Sequence, residues 1–138
     1  MSELNDFNQK VITEFRANQG KVGGQMAGTP LLLLTTTGNK TGRTLTKPLA
    51  YTKDGDRIFV IASFAGSPHN PAWFCNLEAN PIVGIEMGAE SFQARARIAS
   101  GGERERLFKL QADKLNIFYD YQKKTTRQIP VVVLERNN

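Results

Sequence analysis

Residues Leu31 to Arg43 read LLLLTTTGNKTGR, and this run decides the fold. Four leucines followed by three threonines suit a strand with little exposed surface. Gly38 and Gly42 free the backbone beyond it to turn its amides outward, and Lys40 and Arg43 add positive charge to that turn. A rigid strand that delivers a cationic, glycine-rich loop is an anion site. Taken alone, G-x-x-x-G also fits an ordinary hairpin with solvated cations, so the neighbouring segments must discriminate.

Upstream, Leu4, Phe7, Val11 and Phe15 recur at helical spacing behind a Ser2 cap, which predicts an amphipathic helix over about residues 3 to 18. Lys10 and Arg16 supply little charge for lipid attraction, so the apolar stripe is read as packing on the domain, with peripheral membrane association the weaker alternative. The segment GKVGGQMAGTP that follows is glycine-rich, and residues 20 to 28 are a candidate lid over a pocket.

Downstream, residues 44 to 52 alternate loosely and end in the hairpin signal KDGD, after which RIFVIA reads as a fully buried strand. Asn70 is the expected cap of a helix with Pro71 in its first turn, Trp73, Phe74 and Leu77 on one side, and Asn80-Pro81 as its stop. Residues 82 to 87 form the next strand. Ser91 to Ala99 then alternates, with Phe92, Ala94, Ala96 and Ile98 inward and Gln93, Arg95 and Arg97 outward. A helix over about 102 to 114 and the aromatic stretch NIFYDYQ precede the last strand, IPVVVLE. This order predicts a mainly β, α+β molecule: a small antiparallel barrel with helices packed outside.

The chain has 138 residues, 40% of them hydrophobic, which is the size of one domain with one core. The longest apolar runs are too short to span a bilayer, and the start MSELNDFNQK lacks the regions of a signal peptide, so a cytoplasmic location is expected. The one cysteine, Cys75, sits between apolar neighbours and is expected to be a buried, inert thiol. The formal net charge is +5, and Lys40, Arg43, Lys47, Lys53 and Arg57 fall close together against only Asp54 and Asp56. That implies an anionic partner. No zinc-finger spacing, helix-turn-helix pattern or aromatic RNA-binding signature accompanies the charge, which favours a phosphorylated small molecule over nucleic acid.

Absences narrow the chemistry. The one histidine, His69, lies in the loop SPHN and reads as a helix-entry residue, and there is no H-E-x-x-H, no G-x-S-x-G and no complete Walker sequence. No metal is called for. An apolar barrel with an anion site, hydroxyls and aromatics is equipment for an organic cofactor that brings its own reactivity.

The run GKVGG(x)5PLLLLTTTGNKTGR, then KPLAY, DGDRIFVIAS, NPAWFCNLEANP and the terminal RQIPVVVLE resemble the deazaflavin-dependent nitroreductase family, actinobacterial and related proteins that use reduced coenzyme F-420. The resemblance covers nearly the whole chain. It implies a split β-barrel of the kind that binds flavin mononucleotide (FMN), adapted to an 8-hydroxy-5-deazaflavin, in one domain with the barrel over about 29–138. It also accounts for the charge, since that coenzyme carries a phosphate and a polyglutamate tail.

Position by position, the resemblance implies that Lys40 meets the phosphate and tail, with Thr41, Gly42 and Arg43 on the same loop. Asn39 and Leu45 stand where many members have further cations, which leaves Arg43 and Lys47 to hold the tail. Lys47, Pro48 and Leu49, and Ile61, Ala62 and Ser63, match segments flanking the deazaflavin ring; Asn70, Pro71 and Trp73 match the helix entry that closes the groove. Ser63 is the candidate donor to an acceptor carbonyl that gains charge as hydride arrives, and Tyr121 matches a pocket tyrosine that orients or protonates the acceptor. Leu115, Phe118 and Ala50 stand where the nitroreductases have further pocket tyrosines, which argues against nitroimidazole activation and for flat, apolar acceptors: enones, coumarin-like lactones or quinones. Two readings compete with an F-420-dependent reductase: an FMN- or haem-binding oxidoreductase on the same barrel, and a non-catalytic deazaflavin carrier.

Overall fold

The computed structural model describes residues 2–23, 30–38 and 40–136, with side chains from residue 7 onward. A helix α1 (Ser2–Ala17) is followed by strands β1 (Leu31–Thr37), β2 (Thr44–Ala50), β3 (Thr52–Asp54) and β4 (Arg57–Ile61). A short turn of 3-10 helix (Phe64–Gly66) and helix α2 (Ala72–Ala79) lead to β5 (Ile82–Met87) and β6 (Glu90–Ile98). Helices α3 (Gly101–Ala112) and α4 (Ile117–Lys123) precede the last strand, β7 (Val131–Arg136). The aromatic stretch NIFYDYQ is thus helical.

All strands join one antiparallel sheet in the order β2-β1-β5-β6-β7-β4-β3. Four antiparallel steps separate β1 from β4, so these two run the same way, and β2 and β3, antiparallel to them, form one long strand interrupted at Tyr51. That strand pairs along β1 with its first half and with the start of β4 with its second, which curls the sheet into a barrel. Closure is partial. Only Thr52 to Asp54 meet β4, opposite Phe59 to Arg57, so β2 on one side and Val60 and Ile61 on the other face each other without ladder partners. The barrel is split along this seam. Pro48 is tolerated in β2 because an edge strand need not donate every amide.

Alternation along the strands separates an inner core from two outer ones. Leu32, Leu34, Ile58, Val60, Val83, Ile85, Ala94, Val132 and Leu134 point inward and meet Trp73, Phe74 and Leu77 of α2. On the outer face Leu31 and Leu33 receive Val11, Ile12 and Phe15 of α1. Phe59, Ile61, Val131 and Val133 receive Leu107, Phe108, Ala112 and Phe118 of α3 and α4. β1, β4 and β7 are therefore buried on both faces, which is why they read as unbroken apolar runs.

Several expectations are corrected. Phe7 is exposed, because α1 makes its sheet contact from Val11 onward. Ile98 is also exposed: β6 outruns β5, whose first residue, Ile82, pairs with Arg95. Cys75 is exposed, since Trp73, Phe74 and Leu77 take the buried face of α2 and position 75 falls on the opposite one. Asn70 does not cap α2; Pro71 occupies the cap position and no side chain bonds the free amides. No described helix is long and apolar enough to cross a membrane.

Candidate functional site

The shared direction of β1 and β4 brings their C-terminal ends to one end of the barrel, and α2 crosses that end. Its far half is fastened to β1, Asn76 Nδ2 donating to Thr36 Oγ1 at 3.0 Å and Asn80 Nδ2 to Thr37 O at 3.1 Å. Trp73, Pro71 and Phe74 are buried beneath it, with the Trp73 and Phe74 rings edge to face at 6.4 Å. Trp73 therefore plugs the barrel end from inside instead of lining an open groove.

At the β1 end the hairpin 38–43 closes on itself, Gly38 N donating to Arg43 O at 2.7 Å and Gly42 N to Gly38 O at 3.0 Å. Gly42 takes φ +69° with open space where a Cβ would stand. The Thr41 hydroxyl accepts from Arg43 N at 3.2 Å. Lys40, Thr41, Gly42 and Arg43 are all exposed, and no described carboxylate pairs with Lys40 or Arg43. Asn39 lies outside the described residues, as does most of the candidate lid at 20–28.

Lys47 stands opposite Leu34, and Leu45 and Leu49 two residues to either side pack on the inner core, so Lys47 leaves β2 on the inner face of the seam. Arg57 and Lys53 do not join this group. The strand from Thr44 to Asp54 carries them about 30 Å away. At that other end Arg57 faces Asp54 at 3.2 Å, Glu103 at 3.8 Å and Glu135 at 3.9 Å.

Across the seam β4 is followed by Ala62, whose amide extends the ladder to Pro130 O at 2.9 Å. Ser63 follows, only 9% exposed. Its hydroxyl has no hydrogen-bond partner among the described residues, whereas its carbonyl accepts from Gly66 N at 2.9 Å. A strand-terminal serine engaged by its own backbone is therefore not what this position contains.

The next residues, Phe64, Ala65 and Gly66, have φ of 46°, 53° and 80°. For the two that are not glycine this costs on the order of 1–2 kcal/mol each. The turn is held from below by Arg127, a residue that the sequence reading did not single out. Arg127 Nη2 donates to Ser63 O at 2.8 Å, Nε to Ser67 O at 2.9 Å and Nη1 to Asn70 Oδ1 at 2.8 Å, with a longer 3.4 Å contact to Ala62 O. Burial pushes its guanidinium below the ordinary value. Asn70 thus belongs to the site as an acceptor for Arg127. A half-buried cation surrounded by loop carbonyls is a tertiary feature, and no local motif announces it.

Gly66 rests on α4 so closely that a Cβ would lie 2.8 Å from Tyr121 O and 2.9 Å from Lys124 Cβ. This contact brings the Tyr121 backbone to the Ser63 turn. The Tyr121 ring is half-buried, edge to face with Phe118 at 5.7 Å and 5.9 Å from Lys124 Nζ. Leu115 and Phe118 share its cluster. Ala50 does not: it packs with Val11, Ile12 and Phe15 under α1. A cavity of about 400 Å³ between α1 and the β5–β6 hairpin also lies away from this site, and its Arg16 and Glu86 are already paired at 2.8 and 2.9 Å.

A cationic loop, a lysine on the seam and an unengaged serine hydroxyl line one end of a split barrel, which fits a long, flat ligand with an anionic tail. The F420H2-dependent quinone reductase family model matches residues 8–136. The chain is 39% identical over 126 residues to an F420H2-dependent quinone reductase of Mycobacterium tuberculosis, covering 88% of this chain and 85% of that one. Among solved structures it is similar to an F420-H2 dependent reductase (FDR-A), with TM-score 0.71 and 36% identity over 77% of this chain and 94% of that chain. It is also similar to a protein described as a domain-swapped dimer, with TM-score 0.73 and 32% identity over 97% and 98% of the two chains. From a strand that empties into a basic hairpin to a barrel left open where that hairpin points, the observations converge: the chain belongs to the F420H2-dependent quinone reductase family and is a coenzyme F-420-dependent reductase.

Proposed function

We propose that this protein reduces a planar, apolar quinone, with enones and coumarin-like lactones as related acceptors, and that Ser63 and Tyr121 handle the acceptor while the 38–43 loop and Lys47 hold the coenzyme. The observation that carries this reading is Ser63, a residue only 9% exposed at the end of the seam, whose hydroxyl has no hydrogen-bond partner among the described residues.

Bound in the seam, reduced coenzyme F-420 supplies the hydride. Lys40 and Arg43 oppose the phosphate and tail, Lys47 reaches the same ligand from the inner face, and Leu49, next to Pro48, shares the inner core with Ala62 across the gap to bracket a flat ring. Asn70, Pro71 and Trp73 brace the end where the ring enters. Ser63 donates to the acceptor oxygen that gains charge, and Tyr121, whose backbone carbonyl lies against Gly66, is assigned the orienting of the acceptor and the return of a proton to that oxygen. Leu115 and Phe118 back the Tyr121 ring and exclude water. No strong base is required, because hydride and proton arrive at an electrophile that is already activated.

The test combines fluorescence titration with oxidised coenzyme and a quinone assay with the reduced form. Lys40→Ala is expected to weaken coenzyme binding about tenfold and blunt its salt dependence. Ser63→Ala is expected to lower kcat about a hundredfold at unchanged coenzyme affinity. Absent binding at low salt, or FMN or haem purifying with the protein, would overturn the reading; tight binding with no turnover of any quinone or enone would leave a carrier.

A further inference from the structure

We infer that Phe64 is a specificity-determining residue, an aromatic platform at the mouth of the seam on which the flat acceptor stacks. The inference rests on the proposed acceptor site at Ser63. Three successive positive φ values reverse the chain right after Ser63. An exposed turn of this kind ordinarily carries glycine or asparagine, yet a phenylalanine and an alanine occupy its first two positions. The surroundings enforce the conformation. Gly66 N and Arg127 Nη2 both hold Ser63 O, Ser67 N donates to Phe64 O at 3.0 Å, and Gly66 is seated on α4 with no room for a side chain.

The consequence is the position of one ring. A phenylalanine directly after a buried strand would be expected to continue the core, as Phe59 and Ile61 do on the same strand; instead Phe64 is 50% exposed. It adjoins Ser63 in sequence, and the Gly66 contact sets the turn against the backbone carbonyl of Tyr121. A strained turn that holds an aromatic face toward solvent beside an unengaged hydrogen-bond donor suits an aromatic ligand bearing a carbonyl: the ring stacks and the oxygen accepts.

The experiment compares Phe64→Ala, Phe64→Tyr and Phe64→Gly with the parent protein, reading KM and kcat for an aromatic quinone such as menadione and for a small aliphatic enone, together with coenzyme affinity and Tm. Phe64→Ala is expected to raise KM for menadione about five- to tenfold, with KM for the enone, coenzyme affinity and Tm unchanged, and Phe64→Tyr to restore the parent value. Phe64→Gly is expected to combine the same loss with a rise in Tm of about 2–5 °C, because glycine relieves the strain. Equal KM for menadione in the parent protein and Phe64→Ala would overturn the inference while the quinone reading stands. A parent protein that binds coenzyme but reduces no aromatic quinone would remove both together.

Discussion

The two halves of β4 are built to opposite specifications. Its first half, Arg57 to Phe59, is paired with β3 throughout and with β7 from Ile58, and sits under an ion-pair network in which Arg57, Arg97 and Arg106 meet Asp54, Glu103 and Glu135. Its second half, Val60 and Ile61, is paired on one side only and leads into a left-handed turn that Arg127 and α4 hold in place. One strand is closed wall at one end and open seam at the other. The difference teaches where this fold accommodates a ligand: at the place where backbone pairing is left incomplete, beside a core already satisfied without it.

Truncation separates the two halves most sharply. Phe59→Ala, at a fully buried position of the wall, is expected to cost about 3–5 kcal/mol and abolish function through unfolding, as urea titration would register. Lys47→Ala on the seam is expected to change stability by less than about 0.5 kcal/mol, yet to weaken coenzyme binding severalfold. Comparable stability losses at both positions would erase the distinction.

Arg127 tests the seam itself. Arg127→Ala leaves the carbonyl of Ser67 without its donor and takes from Ser63 O one of its two, at a cost of about 1–3 kcal/mol. The expected signature is a fall in kcat larger than the loss of stability explains, because the Ser63 turn relaxes. Arg127→Lys cannot reach the same acceptors at once and should rescue stability better than kcat.

The smallest effect lies in the wall's charges. Arg106 and Arg57 hold the Asp54 carboxyl below the usual range, and Arg97 does the same for Glu103. Since both folded values are depressed, their stabilisation is complete above the ordinary carboxylate values near about pH 4 and is lost as pH falls through the lowered ones. Asp54→Asn should flatten the acid limb of a Tm-versus-pH profile slightly, and less so in high salt, while leaving the Tm at pH 7 within about a degree or two.

The strands and the basic loop were legible because period and composition act locally: LLLLTTT and RIFVI declare two-sided burial, and GNKTGR declares a cationic turn. The grouping of five cations was not, since neighbours in sequence separate by the length of a strand, and Arg57 joined the wall. Cys75 and Phe7 show the same limit, because which side of a helix is covered depends on what lies across from it. Family resemblance named Ser63, Tyr121 and Asn70, but not the guanidinium that ties the loop of two of them together from the distant position 127.

What the sequence by itself determined was therefore most of the elements, the two-faced burial of β1 and β4, and the chemistry of the loop that follows β1. Only the tertiary structure decided that β2 and β3 are one strand shared between β1 and β4, that its pairing with β4 stops at Phe59, and that the chain beyond the open end of β4 carries an unengaged hydroxyl and a strained phenylalanine. The physical reason is range: propensity and periodicity act over a few residues, whereas register, closure and the orientation of a turn are set by contacts among segments far apart in the chain.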